Sequence, residues 1–110
     1  MASNTPKRGL PSRFVEFQKK HPDLARAVDQ LGTAASAAGP LDKKTIELVR
    51  LAIAVGAREE GGVHSHTRRA LEAGATAGEI RHAVLLSITS IGFPNTMAAM
   101  SWVEDVLKDY

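Results

Sequence analysis

The chain of 110 residues contains no cysteine, so disulfide staples, zinc–thiolate sites and cysteine nucleophiles are all excluded. Aromatic residues make up only 5% of the sequence. A hydrophobic core must therefore be built mainly from Leu, Ile, Val and Ala. Small apolar side chains of this kind suit closely packed helices, and chemistry that needs a redox-active thiol is not open to this chain.

The sequence also lacks a cluster of basic residues and a long apolar run. Its net charge is only +2 at pH 7, so we expect neither nucleic acid nor a membrane as a partner. No stretch approaches the roughly 20 apolar residues of a membrane-spanning helix. Residues 1–13 lack the apolar segment of a signal peptide. These absences predict a cytoplasmic protein.

What the sequence does contain is a series of helical patterns. Residues 1–11 are polar and are expected to form a mobile arm, and residues 12–110 are expected to form a single domain. Apolar residues recur at helical spacing, and no stretch shows the sustained alternation of a strand. The prediction is an all-α bundle of about five to six helices.

Helix boundaries in the first half of this region follow from proline, glycine and capping residues. Pro22 suits the first position of a helix, and Gly39 with Pro40 stops it. Asp42 is a natural N-cap for the next helix, because its carboxylate can accept an unpaired backbone N–H. That helix is expected to end near Ala57.

Glycine and capping residues also mark the helix boundaries in the second half of the region. A helix is expected over residues 63–73, and Gly74 favours the left-handed conformation that ends it. Thr76 and Glu79 match a capping box for a helix over residues 77–90. The segment 92–94 then separates this helix from a last one.

The helix that follows Asp42 is apolar around most of its circumference, as is typical of a helix buried by neighbours or by another subunit. Its apolar residues are Ile46, Leu48, Val49, Leu51, Ala52, Ile53 and Val55. The last helix is also largely apolar. A monomer of this size cannot easily cover two such helices, so we expect a homo-oligomer.

Glu47 and His66 are the leading candidates for acid–base chemistry. They are nineteen positions apart across a helix, a break and a second helix, so an antiparallel return of the chain could join them. A shielded carboxylate paired with an imidazole is a common proton-transfer arrangement. The alternative is that Glu47 pairs with Lys43 or Arg50 on its own helix and His66 only packs.

A metal site is not expected from the histidines. His64 and His66 point about 200° apart on a helix, so both cannot face one ion. A site would also need Glu59 or Glu60 to fold back, and the spacing of two histidines four residues apart, found in zinc proteases, is absent.

Arginines near His66 could hold a substrate carboxylate. Arg69, three residues after His66, lies on the better side of the helix. For Arg68 a solvated helix face with a pairing to Glu72 is the plainer interpretation.

Three segments of the chain resemble a known family. They are ELVRLA from Glu47, HTRRALEAGATAGEI from His66, and Gly92 to Pro94 with the small-residue helix after it. Together they resemble the carboxymuconolactone decarboxylase family, which includes the AhpD-like alkylhydroperoxidases. The similarity extends to about Val106. It implies an AhpD-like helical bundle assembled as a trimer or hexamer, with the site between subunits.

The family has a peroxidase branch and a decarboxylase branch, and the resemblance implies a different set of site residues for each. Peroxidase members carry a Cys-x-x-Cys pair at the positions of Glu59 and Gly62, and their relay glutamate corresponds to Glu47. Thiol peroxidase activity is therefore not expected here. The decarboxylase branch has an arginine and acidic residues shortly before the histidine, as Arg58, Glu59 and Glu60 are here, in a register shifted by about two residues.

The resulting hypothesis is a cofactor-free decarboxylase or isomerase of a small carboxylated or lactone substrate. His66 would move the proton, and Glu47 would orient it or relay to it. Arg58 or Arg69 would hold a carboxylate, and Glu59, Glu60 and His64 would line the substrate site. The alternative is a non-catalytic helical oligomer that binds a small ligand or a protein partner.

Overall fold

The computed structural model describes residues 11–110, and every regular element within this range is helical, which confirms the all-α prediction. The expected mobile arm lies outside the described residues except for Pro11. The chain divides into two compact units, one ending at Leu41 and the other covering Asp42–Tyr110. Within the described range, no helix has both the length and the apolar character needed to cross a membrane.

The first unit contains helices α1 (Ser12–Lys20) and α2 (Pro22–Ser36). Pro22 occupies the first position of α2, as predicted, where a missing N–H breaks no helical hydrogen bond. The ring of Phe17 lies 5.7 Å from that of His21 at the junction of the two helices. The apolar side chains that predicted α2 remain exposed: Leu24, Val28 and Leu31.

The second unit contains α3 (Lys43–Gly56), α4 (Glu60–Glu72), α5 (Ala77–Leu85), the single turn α6 (Ile88–Ile91) and α7 (Phe93–Leu107). Helix α3 packs on α4 and α5, and both of these pack on α7. The core is made of small aliphatic side chains, as the low aromatic content predicts. Its buried members are Leu51, Ala54, Val55, Val63, Ala70, Ala75, Ile80, Val84, Ala99, Val103 and Leu107.

Three predicted helix ends are confirmed by their hydrogen bonds. Asp42 caps α3 by accepting from the backbone N–H of Thr45 at 2.9 Å. The capping box of α5 is complete, because the Thr76 hydroxyl accepts from the Glu79 backbone at 3.0 Å and the Glu79 carboxylate accepts from the Thr76 backbone at 2.9 Å. Gly74 ends α4 with φ +99°, the conformation that glycine adopts without strain.

Helix α4 begins at Glu60, three residues earlier than the sequence predicts. Its first turn contains Gly61 and Gly62, which made a helix there look unfavourable. Tertiary packing overrides this preference, because Gly62 lies against α3. A Cβ atom at Gly62 would be only 3.0 Å from the Cβ of Ala54.

Helix α5 ends at Leu85 rather than at the predicted Ser90. The reason is Ser87, whose hydroxyl bonds the carbonyl of Val84 at 2.7 Å and the hydroxyl of Thr96 on α7 at 3.0 Å. A serine side chain that binds a nearby carbonyl competes with the regular helical pattern. The chain therefore turns here before forming α6.

Candidate functional site

Glu47 on α3 and His66 on α4 meet across the antiparallel helix pair. His66 Nδ1 lies 3.0 Å from Glu47 Oε1. Both side chains are largely shielded from solvent, with 12% of the Glu47 side chain and 21% of the His66 side chain exposed. The three-residue turn between Gly56 and Glu60 sets the register that brings them together.

Arg50 is the arginine that contacts this pair. Its Nη1 atom lies 3.6 Å from Oε2 of Glu47, one turn earlier on α3. The pairings with His66 and with Arg50 were alternatives at the level of sequence, but the structure contains both. Each carboxylate oxygen of Glu47 thus faces a different partner, and the guanidinium charge balances that of the carboxylate.

The hydrogen bond to Glu47 assigns the two nitrogens of His66 different roles. A carboxylate can only accept, so the proton shared between them belongs to Nδ1 when the imidazole is neutral. Nε2 then carries the lone pair and is free to take a proton. The arrangement is that of an oriented general base whose partner can stabilise the imidazolium that forms.

His64 belongs to a different cluster. Its Nε2 lies 3.1 Å from Oδ2 of Asp105 on α7 and 3.8 Å from Oε2 of Glu60. One donor atom of each residue lies within 4.8 Å of the others, and such a group could hold a metal ion. The sequence predicts no metal site from the histidines, since His64 and His66 point apart and a site would also need Glu59 or Glu60. Asp105 was missed, since nothing local in the sequence connects it with a residue 41 positions earlier.

Arg58 and Glu59 lie in the turn between α3 and α4, and both are exposed. Gly56 follows Glu47 by nine positions, or about 13 Å of helix, which separates this turn from the Glu47 carboxylate. Arg58 has φ +59°, in the left-handed region. Its N–H bonds the carbonyl of Val55 and the next N–H bonds that of Ala54, so Arg58 occupies the C′ position of a Schellman motif where glycine is usual.

The interpretation of Arg68 as a solvated side chain is wrong, because it is only 9% exposed while Arg69 is exposed. Arg68 follows His64 by one helical turn, and His64 meets Asp105 of α7, so Arg68 shares the face of α4 that α7 approaches. Burial lowers the pKa of the Arg68 guanidinium, while electrostatic interactions with Tyr110 and Glu72 act in the opposite direction. Arg69 keeps its predicted place one turn after His66, on the surface.

Two ion pairs hold α5 against the helices around it. Lys44 Nζ donates to Glu79 Oε2 at 3.1 Å and so joins α3 to α5. Arg81 donates two hydrogen bonds to Glu104 on α7, at 2.7 and 3.0 Å. This bidentate contact raises the pKa of Arg81 and lowers that of Glu104. The pKa of Glu79 is lowered by the Thr76 backbone N–H and then by Lys44.

An apolar groove of about 630 Å³ lies between α3 and the α5–α6 segment. Its walls include Leu48, Val49 and Ala52 of α3 and Leu86 and Ile91 opposite them. Glu47 and His66 are not among the lining residues. Residues 45, 48, 49, 52 and 56 share one face of α3, opposite Glu47, so this groove and the Glu47–His66 pair lie on different sides of the helix.

Comparison with known proteins places these features in a family. The family model described as the carboxymuconolactone decarboxylase family matches residues 22–105. The chain belongs to this family. The match includes Glu47, His66, most of the second unit, and the first unit from Pro22 onward.

A solved structure with a similar fold is the apo form of a carboxymuconolactone decarboxylase family protein from Legionella pneumophila. It aligns with a TM-score of 0.74 and 29% identity over 88% of this chain and 87% of that one. An uncharacterized protein of Methanocaldococcus jannaschii is 29% identical over 91% of this chain and 94% of its own length. An uncharacterized protein of Haemophilus influenzae is 40% identical over 52% of this chain and half of its own length.

The resemblance to the peroxidase members assigns their cysteine pair to the positions of Glu59 and Gly62. Glu59 here precedes α4 as its N-cap, and a Cβ at Gly62 would lie only 3.0 Å from the Cβ of Ala54. The acid–base pair of Glu47 and His66 is present without the thiols.

Proposed function

We propose that the protein is a cofactor-free decarboxylase or isomerase of a small carboxylated or lactone substrate, with Glu47 and His66 as its proton relay. The observation that carries the proposal is the shielded hydrogen bond of 3.0 Å between these side chains. Family membership supports it, because the relay residues of the family coincide with this pair. The absence of cysteine argues against peroxide reduction by a thiol.

The proposed chemistry needs one group that moves a proton at carbon. In isomerisation, His66 Nε2 removes a proton from one carbon and returns it to another. In decarboxylation, cleavage of the C–C bond releases carbon dioxide and leaves the electron pair on the substrate, and protonated His66 delivers the proton to that carbon. Glu47 holds the Nδ1–H in both cases and stabilises the imidazolium.

A substrate carboxylate requires a cation near the imidazole. Arg69 lies one turn after His66 on α4, so we assign it this role ahead of Arg58, whose turn is farther from Glu47. Arg50 is already engaged by Glu47. The substrate side of the relay is thus expected on the exposed side of α4.

We further propose that the chain assembles into a homo-oligomer, a trimer or hexamer. Several large apolar side chains of α3 and of the α5–α7 segment are exposed: Val49, Ile53, Leu85, Leu86, Ile88 and Phe93. Such a set exceeds what a monomer usually leaves in solvent. Light scattering after size exclusion tests this, and Ile53→Asp is expected to lower the mass of the particle. A wild-type monomer would overturn the assembly.

The test of the enzyme proposal is a substrate screen with carboxylated lactones and unsaturated acids, followed by absorbance and by release of carbon dioxide. His66→Ala is expected to abolish turnover and leave the oligomer intact. His21→Gln, in the first unit, is the matched control and should keep full turnover. Unchanged turnover by a correctly folded His66→Ala variant would remove His66 from the mechanism.

A second candidate is a non-catalytic oligomer that binds a small ligand or a protein partner. The groove of about 630 Å³ favours it, because apolar walls with a few polar groups are typical of ligand sites. In that case Glu47 and His66 serve packing alone. Glu47→Gln would then change the melting temperature and leave the affinity of every ligand unchanged.

A further inference from the structure

We propose that Glu60, His64 and Asp105 form a binding site for a divalent transition-metal cation. The site joins the first two turns of α4 to the C-terminal part of α7. Glu60 and His64 are four residues apart and therefore share a face of α4. Asp105 reaches the same place from α7, with Oδ2 at 3.1 Å from His64 Nε2. This site lies outside the proposed relay of Glu47 and His66.

The separations of the donor atoms are close to those of a coordination sphere. Metal–ligand bonds of about 2.0–2.2 Å place the ligands of a tetrahedral ion roughly 3.3–3.6 Å apart. His64 Nε2 is 3.1 Å from Asp105 and 3.8 Å from Glu60, and all three donors lie within 4.8 Å of one another.

The chemistry of the donors favours a particular class of ion. Two carboxylates balance the charge of a divalent cation, and one imidazole selects Zn²⁺ and its first-row neighbours over Mg²⁺ and Ca²⁺. Without a metal, a neutral imidazole has a single N–H to share between two carboxylates. A cation at Nε2 would satisfy both acids and the imidazole nitrogen together.

The side chains are accessible enough for an ion to enter. The exposed fractions are 27% for His64, 56% for Glu60 and 52% for Asp105. Three protein ligands leave at least one coordination position for water or for another ligand. Because His64 and His66 point about 200° apart on α4, an ion bound here does not touch the relay imidazole.

The experiment is titration of the full chain with zinc chloride by isothermal calorimetry near neutral pH, in a buffer that does not chelate metals. We expect one ion per chain with micromolar affinity, and an increase in melting temperature on addition of zinc. His64→Gln and Asp105→Asn should each weaken binding by at least about fivefold. Two variants are used so that failure of one to fold leaves the other.

His82→Gln is the matched control, because it removes a histidine of α5 that lies outside the cluster. It should bind zinc as the wild type does. No saturable binding by the wild type, or a smaller than fivefold loss in the folded cluster variants, would overturn the site. Neither result depends on turnover, so failure of the metal site is distinguishable from failure of the proposed enzyme.

Discussion

His66 Nδ1 and Glu47 Oε1 are 3.0 Å apart, although nineteen residues separate them in the chain. The contact joins α3 to α4 and also orients the imidazole. Its loss can therefore affect stability and chemistry at once. Measurements that separate the two effects are needed to assign its role.

Glu47→Gln keeps an oxygen that can accept from Nδ1–H but removes the negative charge. We expect the free energy of unfolding to fall by about 1 kcal/mol, since a neutral acceptor is weaker than a charged one. We expect kcat to fall at least about tenfold with little change in KM, because the charge stabilises the imidazolium only during reaction. Glu16→Gln, an exposed acid of α1, is the control. An unchanged kcat would restrict Glu47 to a structural role.

Arg58→Gly should stabilise the protein. Arg58 adopts φ +59° at the C′ position of α3, and a left-handed conformation costs a residue with a side chain roughly 1 kcal/mol. Urea denaturation should show a gain of up to about 1 kcal/mol. Gly74→Ala, at the equivalent position after α4, should lose a similar amount. A less stable Arg58→Gly variant would show that the guanidinium makes contacts worth more than the strain.

Gly61 and Gly62 are adjacent in α4 but differ in their surroundings. A Cβ at Gly61 meets nothing within 4 Å, whereas one at Gly62 meets Ala54 at 3.0 Å. Gly61→Ala should therefore raise stability by up to about 1 kcal/mol through helix propensity. Gly62→Ala should be less stable than Gly61→Ala by about 1 kcal/mol or more, because α3 and α4 must move apart. Equal melting temperatures for the two variants would contradict the close packing.

Acid should destabilise the second unit through three carboxylates. The pKa values of Asp42, Glu79 and Glu104 are lowered by their hydrogen bonds, from ordinary values of 3.8 for Asp and 4.5 for Glu. Their contribution to stability is fully present above these ordinary values and is lost as pH falls through the lowered ones. The urea concentration at which half of the protein is unfolded should therefore decrease as the pH is lowered below about 4.5.

Glu104→Gln tests this pH dependence. The variant cannot ionise at position 104, so its free energy of unfolding should change less between about pH 5 and pH 2 than that of the wild type. Glu16→Gln again serves as the control, since the side chain of Glu16 is 64% exposed. Identical slopes for the wild type and Glu104→Gln would show that the Arg81 contact does not favour the ionised acid.

Much of the local structure could be predicted from the sequence because the interactions that define it span few residues. The caps at Asp42 and Thr76 and the stop at Gly74 each involve partners within four or five positions. The end of α5 could not be predicted in the same way. Besides the Val84 carbonyl, the Ser87 hydroxyl meets Thr96 of another helix, and no local pattern reveals that second contact.

In the candidate site, too, some features can be read from the sequence and others depend on how the helices pack. The sequence allows Glu47 to meet His66 through an antiparallel return of the chain, but it equally allows Glu47 to pair with Lys43 or Arg50 on its own helix. The exposed turn of Arg58 and the burial of Arg68 were not foreseen. The burial of Arg68 depends on which face of α4 its neighbours cover, and helical periodicity leaves that open when apolar residues occur on several faces.

By itself the sequence determined the chemical inventory of the protein and most of its helix ends. It has no thiol, and Glu47 and His66 stand at positions that an antiparallel helix pair could join. Only the tertiary structure decided that Arg50 shares Glu47 with His66 and that Asp105 joins Glu60 and His64. The physical reason is that a contact between distant helices depends on how they pack, whereas a cap or a turn depends on the residues beside it.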